Sequence, residues 1–545
     1  MSWRQKSFEI LPALSVRGSH LRSSLRLVTV AWMFGVVWMS CISGSQMTLF
    51  GKLLGFTNRD FGLMAAIGWL AYAGQLISAT AIERTGLRKY QFIVYATIHR
   101  LIWLAIAAVP LLLSPGRAAV RVFVVVYAIG AVLAHLSMPP WQNWMGDLIP
   151  RRIRGRYFAA RRLWTIPIQI LTVIVAGLIL DAVTVHHPPG TPITVQTQPN
   201  LLPTISVLFA VGAVFGTIDV LLFLRLREIV SPPLLRDKDA PRAGALAALG
   251  GAIVETIRSL VQVCMDRKFL HYALYVMTIS FAMTVGAPFF FRNCLENLGY
   301  TKFMANFVFM VGGPIASLLT VRMWGKLIDR WGRRPLLILC TFGVVFSTAG
   351  WFLIPDAPAV GEPTWLTRLG GEGEWIDALF GSATWLAYVL GMATCMVGGM
   401  MWGGIEMARF NILLGFSETE GRSKYIAAVA VFTAVGGFTG GLFGGWLADA
   451  FIAYQYDRSP LHVGPFVWNN WHLTFLASSA ARALALVWLI GMPDPGAKPF
   501  REVVRHIRMG VYNNALPRLF GPVRIWAHLA RRRRDRELAD AEGDQ

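Results

Sequence analysis

Charge is scarce in this 545-residue sequence: Asp, Glu, Lys and Arg make up 15% of it, against 55% hydrophobic residues. A soluble globular chain carries roughly 25% charged residues, so a soluble multidomain protein is not the expectation. Cysteine is scarce too. The five cysteines (Cys41, Cys264, Cys294, Cys340, Cys395) stand alone, with no CxxC pair and no metal-ligand spacing, which argues against a disulfide framework or a zinc site. There is no Walker A loop and no nucleophile motif. An ATP-driven pump and an enzyme therefore lack support, and no cofactor or metal is implied. Residues 1–24 lack a short apolar core ending in a small-residue cleavage site. The first apolar run is long enough to stay as a helix, so no removed signal peptide is expected.

What the chain has instead is apolar length. Twelve apolar segments start near Leu25, Phe61, Tyr90, Ala118, Leu163, Ile205, Phe269, Phe303, Leu336, Ala383, Tyr425 and His472. About 20 residues of helix cross a hydrocarbon core, and in lipid every backbone amide must find its partner within such a segment. The spacing predicts an all-α polytopic membrane protein with twelve transmembrane helices.

The net charge of +21 raises nucleic acid as a partner, but its distribution points elsewhere. The N-terminal tail, the loops after even-numbered spans and the C-terminal tail carry 41 of the 51 Lys and Arg residues. The opposite loops carry 8, and the loop 181–200 has none. Positive charge concentrates on the cytoplasmic side, so both termini are expected in the cytoplasm and the protein in the inner or plasma membrane. No nucleic-acid face is implied. The stretch after Met492 holds eleven basic residues, including Arg531–Arg534; near an anionic leaflet each contributes about 1 kcal/mol, so lipid contact is expected there.

Three landmarks repeat. Gly55-Phe56-Thr57 after the first span returns as Gly299-Tyr300-Thr301 after the seventh, and Glu83-Arg84-Thr85-Gly86-Leu87-Arg88 returns as Asp329-Arg330-Trp331-Gly332-Arg333-Arg334. Gly155-Arg156 after the fourth span matches Gly421-Arg422 after the tenth. The chain therefore reads as two six-helix halves in the same orientation. Its expected parts are an N-terminal tail (1–24), a first half (25–225), a central loop (226–268), a second half (269–492) and a basic tail (493–545).

Two parallel six-helix halves with a G-x-L-x-D-R-x-G-R-R loop resemble the major facilitator superfamily over roughly residues 25–492. The second copy carries that signature as Gly325, Leu327, Asp329, Arg330, Gly332, Arg333 and Arg334. The first copy departs from it, with Ala79 for the leading glycine and Glu83 for the aspartate, followed by Arg84, Gly86 and Arg88. The charged loop is a topological anchor, and the resemblance implies a further role as a latch between the halves. Asp147, Arg154, Gly155 and Arg156 after the fourth span could join that cytoplasmic network, as could Glu406 and Arg409, three residues apart on one helical face; the bland reading of these arginines is positive-inside signal alone.

Ionisable residues inside spans are costly and default to functional candidates. Four qualify: Arg100, His135, Asp219 and Arg482. The resemblance places the third, sixth, ninth and twelfth helices outside the central cavity, which makes Arg100, Asp219 and Arg482 structural or coupling residues and leaves His135 for a substrate, a proton or simple packing. Arg100 and Asp219 lie at similar depth and are expected to pair. By the same resemblance the first, seventh and tenth spans line the cavity with Ser40, Ser43, Gln46, Tyr272, Tyr275, Thr278, Thr394 and Trp402. The first span lacks an acid in its outer half and the fifth lacks the G-x-x-x-G-P-x-x-G-G run of drug antiporters, which weakens a drug-export reading. Gly436, Gly440 and Gly444 share a helix face beside Gly437, Gly441 and Gly445; small residues at this spacing let helices approach closely, either as fixed packing or as a sliding seam.

Two functions remain in view. One is a monomeric secondary transporter, symporter or antiporter, moving a small organic solute by alternating access, with a proton or cation as the candidate coupling ion. The alternative is a non-transporting receptor or scaffold of the same fold, acting through its basic tail and central loop.

Overall fold

The computed structural model describes residues 19–85, 87–185, 193–226, 265–354, 385–416, 422–455, 462–463, 466–467 and 470–492, with isolated positions between 494 and 505. Helices dominate, and a two-residue antiparallel pair, His462–Val463 with Phe466–Val467, is the only sheet among the described residues. Among the described residues, eleven helical segments are long and apolar enough to cross a membrane. The second predicted span falls outside that number because it is split: α3 (Asn58–Tyr72) and α4 (Gly74–Thr85) meet at Ala73. The first span is also interrupted. α1 (Ser19–Ile42) ends before Ser43-Gly44, and α2 (Ser45–Leu54) resumes beyond them. Gly44 has φ 81°, a conformation that costs glycine little and other residues much.

The rest of the first half comprises α5 (Arg88–Leu112), α6 (Arg117–Leu148), α7 (Arg151–Ala182) and α8 (Leu201–Leu222). The second half begins with α9 (Arg267–Gly286), which passes through a short 3-10 turn into α10 (Phe290–Glu296). Next come α11 (Lys302–Phe307), a π-helical turn over Val308–Gly312 and α12 (Gly313–Trp331). α13 (Arg333–Ala349), α14 (Trp385–Phe416), α15 (Arg422–Gln455) and α16 (Asn470–Ile490) complete it.

The repeated Gly-x-Thr motif has a structural meaning. Gly55 (φ 99°) and Gly299 (φ 67°) turn the chain, and the threonine two residues on caps the next helix. Thr57 Oγ1 accepts from Asp60 N at 3.3 Å while Thr57 N donates to Asp60 Oδ2 at 2.8 Å, a capping box. Thr301 Oγ1 accepts from Met304 N at 3.2 Å.

We call the end where α1 begins and α16 finishes the terminal end, and the other the distal end. At the distal end one apolar cluster draws on both halves, from Phe50, Phe61 and Phe209 to Phe289, Tyr300, Trp351 and Phe475. At the terminal end each half has its own: Leu25, Val28, Trp144, Tyr157 and Phe223 in the first, and Phe269, Tyr272, Leu336, Ile405 and Leu489 in the second. The halves share a core at one end and keep separate cores at the other.

The two glycine stripes of α15 divide the same way. Gly436, Gly440 and Gly444 lie against the backbone of Met277, Phe281 and Val285 on α9, inside their own half. Gly437 faces Trp69, Gly441 faces Gly62 and Ala66, and Gly445 faces Asn58 and Arg59, all at α3 in the other half. One stripe is internal packing and its neighbour is the seam between halves.

Candidate functional site

The distal seal is built from polar groups as well as apolar ones. Ser45, first residue of α2 after the break, donates its backbone N–H to Asn306 Oδ1 on α11 at 2.8 Å. Asn306 Nδ2 donates to Gln46 Oε1 at 3.1 Å, and Gln46 Nε2 reaches the Ser40 carbonyl at 3.3 Å. Asn306, Gln46, Ser45 and Ser40 are all fully buried. This chain ties the broken first span to the eighth, and Gly44 leaves no room for a Cβ beside Asn306. Ser43 turns its hydroxyl back to the Met39 carbonyl.

Nearer the surface the seal is ionic. Lys52 Nζ lies 2.7 Å from Glu296 Oε1, and Arg292 Nε lies 3.0 Å from the same oxygen. The Arg292 guanidinium also donates to Asn58 Oδ1 and sits 5.0 Å from the Phe61 ring and 4.5 Å from Trp471. Asp181, at the distal end of α7, accepts the backbone N–H groups of Lys302 and Phe303 at 2.9 Å each. A carboxylate from the first half thus caps a helix of the second, where the dipole favours an anion. Arg59 and Asp449 add a partly exposed pair at 3.1 Å.

Within the first half Arg100 Nη2 meets Asp219 Oδ2 at 3.3 Å. The Arg100 guanidinium lies 3.4 Å from the Trp38 ring centre. Gly35 on α1 and Gly216 on α8 make room for the pair, since a Cβ at either would press on Asp219 or on Arg100 and Trp38. In the second half Arg482 has no carboxylate within ion-pair distance among the described residues. It donates to the Val344 carbonyl at 3.0 Å and to the Thr348 hydroxyl, with the Trp402 ring 5.7 Å away.

Between the halves, toward the terminal end, lies a second polar group. His135 Nδ1 is 3.2 Å from Gln75 Nε2, and its ring meets Tyr72 edge-on at 5.4 Å. Tyr72 and Gln75 flank the break between α3 and α4, so His135 supports that break from α6. Tyr72 is within electrostatic reach of Arg409 and Glu406 on α14, across the interface. Arg409 Nη1 lies 3.0 Å from Glu406 Oε1, and the Arg409 carbonyl accepts from Tyr272 at 2.9 Å.

Three residues expected at the cavity make their contacts within their own half. Tyr275 is fully buried against Thr341 of α13 at 2.8 Å, Thr278 accepts from Trp488 of α16 at 3.1 Å, and Thr394 packs on Gly350. Their spans are apolar all round, so no amphipathic stripe marked the cavity face, and each side chain turns into its own half.

The second signature loop closes on an unexpected partner. Gly332 (φ 96°) turns between α12 and α13, and Asp494 Oδ2 accepts Arg333 N at 2.7 Å and Arg334 N at 2.8 Å. Arg334 donates to the Ile490 carbonyl, and Lys498 N to the Trp331 carbonyl at 2.9 Å. The segment after α16 therefore caps α13. Asp329 and Arg330 are exposed, and Gly325 faces Met407 of α14. Arg88 opens α5. The side chains of Glu83, Arg84, Asp147, Arg154 and Arg156, together with Gly86 and Gly155, lie outside the described residues, as do Cys264 and Arg531–Arg534.

Sequence reasoning missed Asn306, Glu296 and Arg161. Asn306 was detectable as an amide inside an apolar run, a costly group in lipid.

Several solved structures share this fold. A D-xylose-proton symporter superposes with a TM-score of 0.55 at 15% identity, over 88% of this chain and all of that one. The xylose transporter XylE from E. coli in its inward-open conformation gives 0.54 at 15% identity, over 89% and 99%. A variant of the nucleoside transporter NupG gives 0.51 at 12%, over 86% and 99%. No curated protein matches the sequence. The family model described as Major Facilitator Superfamily matches residues 27–367, well over half of the sequence. With its paired helical halves and eleven membrane-length helices among the described residues, the chain belongs to the Major Facilitator Superfamily.

Proposed function

We propose that this protein is a secondary transporter that carries a small organic solute by alternating access, its halves rocking about a site near the midplane. One observation carries the reading: the halves share a polar and apolar seal at the distal end and keep separate cores at the terminal end. That is the shape of a carrier closed to one side. The basic loops favour a cytoplasmic terminal end, so this state faces inward, with the basic tail on the anionic leaflet. Tyr72, Gln75, His135, Glu406 and Arg409 then border the path from the cytoplasm. Solved transporters of this fold handle xylose with protons and nucleosides, which supports a small organic solute with a coupling proton.

The test uses vesicles of known sidedness. A cysteine placed at Ser43 should label from the terminal side and resist impermeant reagents from the distal side. Counterflow of sugars, nucleosides and organic acids should identify one exchanged class, and that solute should alter the labelling. A labelling pattern identical from both sides, with no solute exchanged, would sink the transporter reading.

A further inference from the structure

Arg161 lies on α7, eleven residues into the helix, with 8% of its surface exposed. Its guanidinium carbon is 4.9 Å from the centre of the Trp32 ring on α1, 5.5 Å from Trp141 on α6 and 5.7 Å from Phe158. The other arginines of the interior each reach at least one acceptor, although Arg100 and Arg482 also keep a buried Nε without one. Arg100 has Asp219, Arg292 has Glu296, and Arg409 has Glu406. Arg482, the other arginine less than a tenth exposed, donates to Val344 and Thr348. Arg161 donates to no acceptor among the described residues, and its Nε is buried without one.

The aromatic frame does not replace an anion. Rings over a cation attract it, yet they satisfy none of the five N–H donors of a guanidinium. Asp219 acts on Arg161 electrostatically but is already bound to Arg100. Among the described side chains, two arginines and one aspartate leave one net positive charge in this part of the first half, and burying an unpaired cation is costly. A monoanion would cancel it. The guanidinium fork fits a carboxylate with two parallel hydrogen bonds, and the indole faces of Trp32 and Trp141 suit an apolar body. Position agrees with access: Gln169, two turns further along α7, already reaches across to the Met310 carbonyl, so Arg161 lies on the terminal-end side of that bridge.

We propose that Arg161, framed by Trp32, Trp141 and Phe158, binds the carboxylate of an organic monoanion whose apolar body rests on those rings. This names the solute class for the transporter proposed above and rests on that reading only for the claim that the anion is carried.

The test is calorimetric titration of purified full-length protein with benzoate, phenylacetate and hexanoate, with benzamide and inorganic phosphate as contrasts. At least one carboxylate should bind saturably, with benzamide and phosphate at least tenfold weaker than it. Arg161→Gln should weaken that carboxylate at least tenfold, and Arg161→Lys should recover part of the loss. Folding is checked separately. Without ligand, Arg161→Gln should unfold at the parent temperature or above, because it removes an unpaired buried charge, whereas a purely structural arginine would show a loss. Binding of none of the three, equal binding of benzamide or phosphate, or unaltered binding by Arg161→Gln overturns the proposal. Binding without vesicle exchange would keep this site and sink the transporter reading. Exchange indifferent to Arg161 would do the reverse.

Discussion

Removing Asp219 should strand Arg100, and the structure allows the size of that effect to be worked out. The pair meets at 3.3 Å with side chains 11% and 5% exposed, so water cannot replace the lost partner. Truncating one member of such a pair typically costs about 3–5 kcal/mol. Two features move the figure in opposite directions. The Trp38 ring, 3.4 Å from the guanidinium, stays and retains up to about 2 kcal/mol of cation–π attraction. Arg161, which Asp219 attracts without bonding it, loses that attraction as well. Asp219→Ala should therefore lose about 3 kcal/mol or more, and Asp219→Asn less, because an amide oxygen still accepts one hydrogen bond. Arg100→Leu should lose a comparable amount by leaving Asp219 unpaired. The double variant Arg100→Leu with Asp219→Leu should recover most of either loss, so that the two single effects are far from additive. The assay is unfolding in mixed micelles of both single variants and the double. Losses that simply add would refute the argument, and a double variant as unstable as their sum would show that the pair contributes nothing jointly.

Three further outcomes are expected. Gly441→Leu should drive the halves apart at the distal end, because a Cβ there would already stand 2.7 Å from the Gly62 carbonyl; distal-side labelling of a cysteine at Ser43 should rise severalfold, and unchanged labelling would mean that the seam does not set the state. Asp60 is pushed up by burial, but the hydrogen bonds from Thr57 and the Arg117 guanidinium at 2.6 Å more than offset this and leave its carboxyl below the usual range. Its contribution is therefore fully present above the unfolded value of about 3.9 and is lost as pH falls through the lowered folded value; Asp60→Asn should flatten the acid limb of a stability–pH curve, and a parallel curve would show Asp60 to be neutral. Asp329→Asn should leave stability unchanged in this state, where the carboxylate is exposed, yet slow vesicle exchange if Asp329 latches the opposite state; equal rates would reduce the loop to an anchor.

The sequence made some of this legible for identifiable reasons. A charge at membrane depth needs a counter-charge at the same depth, which is why Arg100 and Asp219 could be matched without coordinates. The Gly-x-Thr repeat worked because a helix start needs a turn and a cap, and Thr57 and Thr301 supply the caps in both halves. Helix breaks were invisible. Ser43-Gly44-Ser45-Gln46 interrupts the first apolar run but reads as polar cavity lining, and neither proline nor a charge cluster marks it or Tyr72–Gly74. The cavity face was hard to read because a helix apolar on every side carries no stripe to orient it, and Tyr275, Thr278 and Thr394 make their contacts within their own half. Arg161 was hidden for a different reason: it follows Arg151, Arg152, Arg154 and Arg156, and a run of arginines beside a span reads as topology signal until one of them is seen to be buried.

The distal seal combines two kinds of contact that resist motion differently. Along α15 the seam with α3 is glycine against backbone, with no side chains interlocked at Gly441 and Gly445, so sliding there breaks few specific contacts. Lys52–Glu296, Asp181 on the helix start at Lys302, and Ser45–Asn306 are directional and are lost within an ångström or two of separation. The stripe Gly436, Gly440 and Gly444 binds α15 to α9 with the same close backbone approach inside its half. A rocking motion can therefore carry α9 and α15 together as one body while α3 is left behind. In the proposed cycle the smooth seam would supply the path, and the polar locks would decide when it is taken. A solute that reorganises Ser45, Gln46 and Asn306 would act on those locks directly, since all three are buried where the interrupted first span meets the eighth.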